Sequence, residues 1–158
     1  MCIRDRYNVP LIINDNVKLA KEIDADGVHL GQDDLDIKSA REYLGADKII
    51  GVSAHNVKEA LEAENGGADY LGSGAAFVTS TKTDAGAIDH KVLSDVAHSV
   101  KIPVVAIGGI NKDNISQLEG LGLDGVAVVS AIFAADDISS AVIDLKAKAE
   151  KVAESSVK

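Results

Sequence analysis

Cysteine is nearly absent: Cys2 is alone among 158 residues, so an internal disulfide framework is excluded, and no Cys/His cluster has zinc-site spacing. Redox and zinc chemistry are set aside, and a cytoplasmic location is expected. Long apolar runs are missing too. None approaches the roughly 18 residues a membrane span needs, and the first residues lack the apolar stretch of a signal peptide, so a soluble chain is expected. Positive charge is scarce. Sixteen Lys+Arg against 25 Asp+Glu give a net charge of −9, which argues against nucleic acid or an anionic membrane as partner. A phosphate ligand must then be held by locally placed groups.

What is present is ordinary globular composition, 46% hydrophobic and 26% charged, with one domain as the expectation. Residues 1–6 carry three charges and read as a non-native or misread start, leaving 7–158 as the domain. Six short apolar runs, rich in β-branched residues, predict strands: 11–13, 27–30, 49–52, 70–72, 104–107 and 126–129. Because the runs are apolar on both faces and alternate with helical patterns, they imply a parallel sheet covered by helices. Val57, Ala60 and Leu61 share one helix face, as do Ile115 and Leu118. Asn56 with Glu59 has the spacing of a capping box; Asp36, Asn111 and Asp136 or Asp137 are further cap candidates. A loose repeat precedes three of the strands: Asp24-Ala25-Asp26-Gly27, Gly67-Ala68-Asp69-Tyr70 and Gly122-Leu123-Asp124-Gly125. Residues 137–158 predict a closing helix with a polar tail.

Every predicted strand leads into a small polar or glycine-rich group, among them Asn14-Asp15, Gly31-Gln32-Asp33-Asp34, Ser53, Gly108-Gly109 and Ser130. A doubly wound sheet concentrates its ligand groups at one switch point, whereas a barrel gathers them from many strand ends, so the even spread predicts a TIM (β/α)8-type barrel. Such barrels run to about 250 residues. Six units in 158 residues therefore predict strands 3–8, with the first two βα units missing. The loops after the last two strands, carrying Gly108-Gly109 and Val129-Ser130, are then the expected phosphate site.

Asp15 and Asp34 follow neighbouring strands and offer oxygen ligands suited to magnesium; the competing reading makes Asp15 a helix cap and Asp34 a solvated turn charge. Asn14 either bonds a heteroaromatic ring or holds a turn. Thr79-Ser80-Thr81-Lys82 supplies three hydroxyls and an ammonium in the long interval before residue 104, a composition that binds phosphate or simply makes a surface loop. Gly108-Gly109 permits close backbone approach to a phosphate, or a tight turn. Ser130 is either a ligand or an N-cap. His29 reads as a packed or hydrogen-bonded core residue and His55 as exposed at a helix start, neither of them a general base.

The ordered set Ile13-Asn14-Asp15, Gly31-Gln32-Asp33-Asp34, Gly51-Val52-Ser53, Thr79-Ser80-Thr81-Lys82, Ala106-Ile107-Gly108-Gly109-Ile110 and Val128-Val129-Ser130-Ala131-Ile132-Phe133 resembles the thiamine phosphate synthase family. The resemblance implies a magnesium-dependent transferase that condenses a pyrimidine diphosphate with a thiazole phosphate. It implies Asp15 and Asp34 at the metal, and Asn14, Ser53 and Lys82 on the pyrimidine diphosphate, with Ser53 and Lys82 as the catalytic pair. It further implies Thr79, Ser80, Thr81, Gly109, Val129 and Ser130 on the thiazole phosphate. Two departures stand out: Ala75-Ala76-Phe77-Val78 lacks the prolines usual beside the loop phenylalanine, and the family's N-terminal Gln/Arg/Lys segment is not in this sequence. Rival readings are a thiazole tautomerase on the same barrel and an inactive phosphate-binding fragment. Open sheet edges would allow pairing with another chain, so a homo-oligomer is an open possibility.

Overall fold

The computed structural model describes residues 6–78 and 88–156. Six strands form one parallel sheet in chain order: β1 (Ile12–Asn14), β2 (Gly27–Leu30), β3 (Ile49–Ser53), β4 (Tyr70–Ser73), β5 (Val104–Ile107) and β6 (Gly125–Ala127). Between and after them lie α1 (Val17–Glu22), α2 (Ile37–Leu44), α3 (Val57–Gly66), α4 (His90–Ser99), a 3-10 turn (Ile115–Leu118), α5 (Ser130–Phe133) and α6 (Ile138–Glu154). Each strand pairs with the next in sequence, so the order never reverses and there is no switch point. This is the arrangement of a (β/α) barrel, as the spread of polar residues had predicted.

The two faces of the sheet differ. Val28, Leu30, Ile50, Leu71 and Val104 point one way and are fully buried beneath the helices. Their neighbours His29, Ser53, Tyr70, Gly72, Val105 and Ile107 alternate to the inner side and line a cavity. Burying each of those Leu, Ile or Val side chains contributes about 1.5–3 kcal/mol, which makes the helix-covered face the core.

The repeat seen before three strands has a structural cause. The Asp26 carboxylate accepts from Leu11 N–H at 2.7 Å, and its own N–H returns to the Leu11 carbonyl at 3.0 Å. Asp69 does the same with Ile50 (2.7 and 2.8 Å), and Asp124 with Val104 (2.8 and 2.8 Å). Each aspartate therefore ties the start of one strand to the start of the preceding strand with two bonds. The clamps fall at β1/β2, β3/β4 and β5/β6, so the sheet is stitched as three strand pairs. Arg41 adds a further tie at the same end of the barrel, reaching the Asp69 carboxylate at 2.7 Å and the Lys48 carbonyl.

Caps follow the sequence reading at Asp36, Asp137 and Asn56, whose side chains accept from Ser39, Ser140 and Glu59 N–H. Four details differ. The last strand is shorter, 125–127 instead of 126–129, because the chain turns at Val128-Val129 to begin α5. Ile115 and Leu118 are both buried, but on a four-residue 3-10 turn whose three-residue period also aligns them. Leu61 is 39% exposed, and the buried face of α3 is Ala60 and Ala63. Asn16, not Asp15, caps α1 by accepting from Leu19 N–H at 2.9 Å.

Candidate active site

The cavity on the inner face has a volume of about 510 Å³ and opens at the C-terminal ends of the strands. Its floor is a ring pair. His29 on β2 and Tyr70 on β4 lie with centroids 5.5 Å apart, and His29 Nδ1 is 3.0 Å from the Tyr70 hydroxyl. On the other side of the imidazole, Nε2 is 3.0 Å from Ser53 Oγ. Burial pushes the Tyr70 phenol up, so it remains protonated and available as a donor. Glycine makes this packing possible: a Cβ at Gly51 would fall 2.1 Å from the Tyr70 ring, and one at Gly72 would fall 3.0 Å from His29 Cε1. Gly51→Ala is therefore expected to lose about 1–3 kcal/mol of stability through overpacking. Removing the ring in a Gly51→Ala/Tyr70→Leu double variant should recover most of that loss, as read from paired denaturation curves. A fully additive double variant would contradict the clash.

Ser53 ends β3, and its carbonyl accepts from Gln32 Nε2 at 2.5 Å, which draws the loop after β2 over the strand end. His55 stands exposed just before α3, as expected, with its ring Nδ1 and its N–H both on Glu59 Oε2 (2.9 and 2.8 Å). Burial raises the Glu59 carboxyl, but the bonds from His55 and Asn56 outweigh it and hold the pKa below its ordinary value.

Asn14, Ser53, Gly109, Val129 and Ser130, all singled out in the sequence, line this one cavity. Gly108 and Gly109 both have positive φ (101° and 65°) and lie beneath the segment that follows β4. A Cβ at Gly109 would come within 2.7 Å of the Phe77 carbonyl. That segment is stitched to β5 by Ala76 N–H to Ile107 O at 2.8 Å and Phe77 N–H to Gly108 O at 3.1 Å. After the neighbouring strand β6, Val129 is 65% exposed and occupies the cap position of α5, with no side-chain cap bond. Ser130 is the first helical residue and not the N-cap. Its hydroxyl is thus not committed to capping. Thr79, Ser80, Thr81 and Lys82 lie outside the described residues.

The aspartates sit at the same end but not in the cavity wall. Asp15 follows β1 with φ +62°, bonds its N–H to His29 O at 2.8 Å, and its carboxylate has no partner among the described residues. Asp34 turns back on its own loop, accepting from Gly31 N–H at 2.7 Å, and borders a separate outer groove. Among the described residues no group of three or more His, Cys, Asp or Glu is arranged to hold a metal ion. Magnesium commonly takes one or two carboxylates and completes its shell with water and substrate phosphate oxygens. The Asp15 carboxylate, without a partner among the described residues, would suit it, whereas one oxygen of Asp34 is already engaged by Gly31 N–H. Sequence reasoning missed Tyr70, Val105, Ile107 and Ala127 as cavity residues. The period-two alternation that puts them on the same face as His29 and Ser53 was legible.

A parallel sheet in chain order, with its polar residues gathered at the C-terminal strand ends around an inner cavity, defines an α/β protein of the (β/α)-barrel class. Residues 2–132 match the family model described as thiamine monophosphate synthase. The chain is 51% identical over 144 residues to the thiamine-phosphate synthase of Clostridium beijerinckii, covering 91% of this chain and 69% of that protein. It is 54% identical over 136 residues to the Clostridium acetobutylicum thiamine-phosphate synthase, covering 86% of this chain and 64% of that one. The structure of thiamine phosphate pyrophosphorylase from Pyrococcus furiosus matches with a TM-score of 0.86 at 45% identity, over 95% of this chain and 72% of that chain. This chain belongs to the thiamine monophosphate synthase family, a family of transferases, as its motifs had implied. It spans about two thirds of the length of the relatives it matches. No helix among the described residues is long and apolar enough to cross a membrane.

Proposed function

We propose that the inner cavity condenses 4-amino-2-methyl-5-hydroxymethylpyrimidine diphosphate with hydroxyethylthiazole phosphate. The bond between the pyrimidine CH₂ and the diphosphate oxygen breaks, pyrophosphate leaves with the electron pair, and the thiazole nitrogen forms the new C–N bond. The products are thiamine phosphate and pyrophosphate. The observation that carries this reading is that Asn14, Ser53, Gly109, Val129 and Ser130 all line one cavity.

The protein supplies position and charge, not a nucleophile. Asn14 and the Ser53 hydroxyl orient the aminopyrimidine above the His29–Tyr70 floor. Gly109, Val129 and Ser130 hold the thiazole phosphate, aided by Thr79, Ser80 and Thr81, so that the ring nitrogen faces the CH₂. Lys82 neutralises the departing pyrophosphate. Asp15 and Asp34 are the residues that would hold magnesium. When bound, that ion supplies positive charge for the diphosphate oxygens. Val105, Ile107 and Ala127 supply the apolar part of the cavity wall, against which the aromatic rings can pack. The presence of both aspartates and of the Thr79–Lys82 segment favours this reading over a tautomerase, which has no diphosphate to bind.

Calorimetric titration tests the reading. The pyrimidine diphosphate is expected to bind at least about tenfold more tightly with magnesium than without, a difference of about 1.4 kcal/mol. Thiazole phosphate should bind alike in both conditions. Metal-independent binding of the diphosphate would contradict the assignment of Asp15 and Asp34.

A further inference from the structure

The Gly108-Gly109-Ile110 segment borders the cavity with a backbone conformation that its own residues do not fix, since two consecutive glycines at positive φ carry little conformational preference. Something must hold it. Asn114 stands outside the cavity lining, yet its side-chain amide spans the loop from behind. Its Nδ2 donates to the Gly109 carbonyl at 2.9 Å, and its Oδ1 accepts from the Asn111 N–H at 2.8 Å. The amide thus takes the place of a peptide group in a neighbouring strand and pins both ends of the bend. Asn111 contributes less: its Oδ1 accepts from Asp113 N–H at 2.9 Å and organises the 3-10 turn, while its Nδ2 is 3.4 Å from the Gly109 carbonyl. Ile115, next to Asn114, is completely buried, so the pin is anchored in the core.

The consequence concerns the donors. With the Gly109 carbonyl drawn back onto Asn114, the N–H groups of Gly109 and Ile110 have no protein acceptor among the described residues, although both residues border the cavity. Successive unpaired N–H groups in a left-handed bend make a concave site for anionic oxygens. We infer that Asn114 is a positioning residue for phosphate recognition: it touches no substrate, but it fixes the Gly109 peptide so that the loop N–H groups are offered to the thiazole phosphate. This rests on the proposed placement of that phosphate at Gly109, Val129 and Ser130.

The test compares hydroxyethylthiazole phosphate with its dephosphorylated alcohol, each titrated calorimetrically into the wild-type chain, Asn114→Ala and Asn111→Ala. Asn114→Ala is expected to bind the phosphate about tenfold more weakly and the alcohol unchanged, whereas general damage to the cavity would weaken both. Asn111→Ala is expected to keep the wild-type preference for the phosphate. Should Asn114→Ala fail to fold, Asn114→Ser serves, because its hydroxyl can still take the Asn111 N–H but offers no amide to the Gly109 carbonyl. A variant that keeps the wild-type preference for the phosphate refutes the role of Asn114 alone. A wild-type chain that binds phosphate and alcohol equally refutes the phosphate site itself, and the role of Asn114 with it.

Discussion

Asp15→Asn should lower the rate of thiamine phosphate formation by about 10²–10³-fold, the usual cost of removing one group that stabilises developing charge. Thiazole phosphate affinity and thermal stability should hardly change. The choice of asparagine matters. Asp15 has φ +62°, a conformation that asparagine tolerates and most other side chains do not, so the substitution removes charge without straining the backbone. Helix α1 is also untouched, because its cap is Asn16. Asn16→Ala is the matching control: it should cost about 1 kcal/mol of stability through the lost cap and leave the magnesium dependence of turnover intact. Full magnesium-dependent turnover in Asp15→Asn would remove Asp15 from the proposed metal site.

Asp69→Ala should cost about 2–3 kcal/mol of stability. The Asp69 carboxylate serves two donors at once, Ile50 N–H and the Arg41 guanidinium, each at 2.7 Å. Ile50 is wholly buried, so its N–H would lose its acceptor with no water to replace it. The ion pair adds little, since the Asp69 side chain is 48% exposed and the attraction is screened. Asp69→Asn, which retains an acceptor for Ile50, should therefore recover more than half of the loss. Denaturant midpoints for the two variants measure this. A midpoint for Asp69→Ala equal to that of the wild type would mean that the strand pairs are held in register without their clamps.

The barrel class was legible because two simple signals agreed. β-Branched runs apolar on both faces identified the strands to within a residue or two, and polar residues after every strand placed the ligand end. Residues close in sequence to a strand end, such as Asn14, Ser53 and Ser130, could thus be assigned to the cavity before any coordinates. What stayed hidden depends on contacts between distant segments. Gly51 and Gly72 look like ordinary strand glycines until Tyr70 and His29, from other strands, are seen to occupy the space their side chains would need. The Asp26, Asp69 and Asp124 repeat was visible as a pattern, but its meaning required the preceding strand as partner. Val129-Ser130 was read as the end of a strand leading to a cap, because β-propensity says nothing of the turn that starts α5. Asn114 gave no signal at all, since an asparagine before a helical pattern reads as a cap and its side chain in fact reaches back five residues to Gly109.

The most direct test of the whole account is to incubate the chain with the pyrimidine diphosphate and the thiazole phosphate, with and without magnesium, and to follow thiamine phosphate and pyrophosphate together. The account predicts equal amounts of the two products, formed only with magnesium. Pyrophosphate released without thiamine phosphate, or no turnover by a folded chain that binds both substrates, would contradict it.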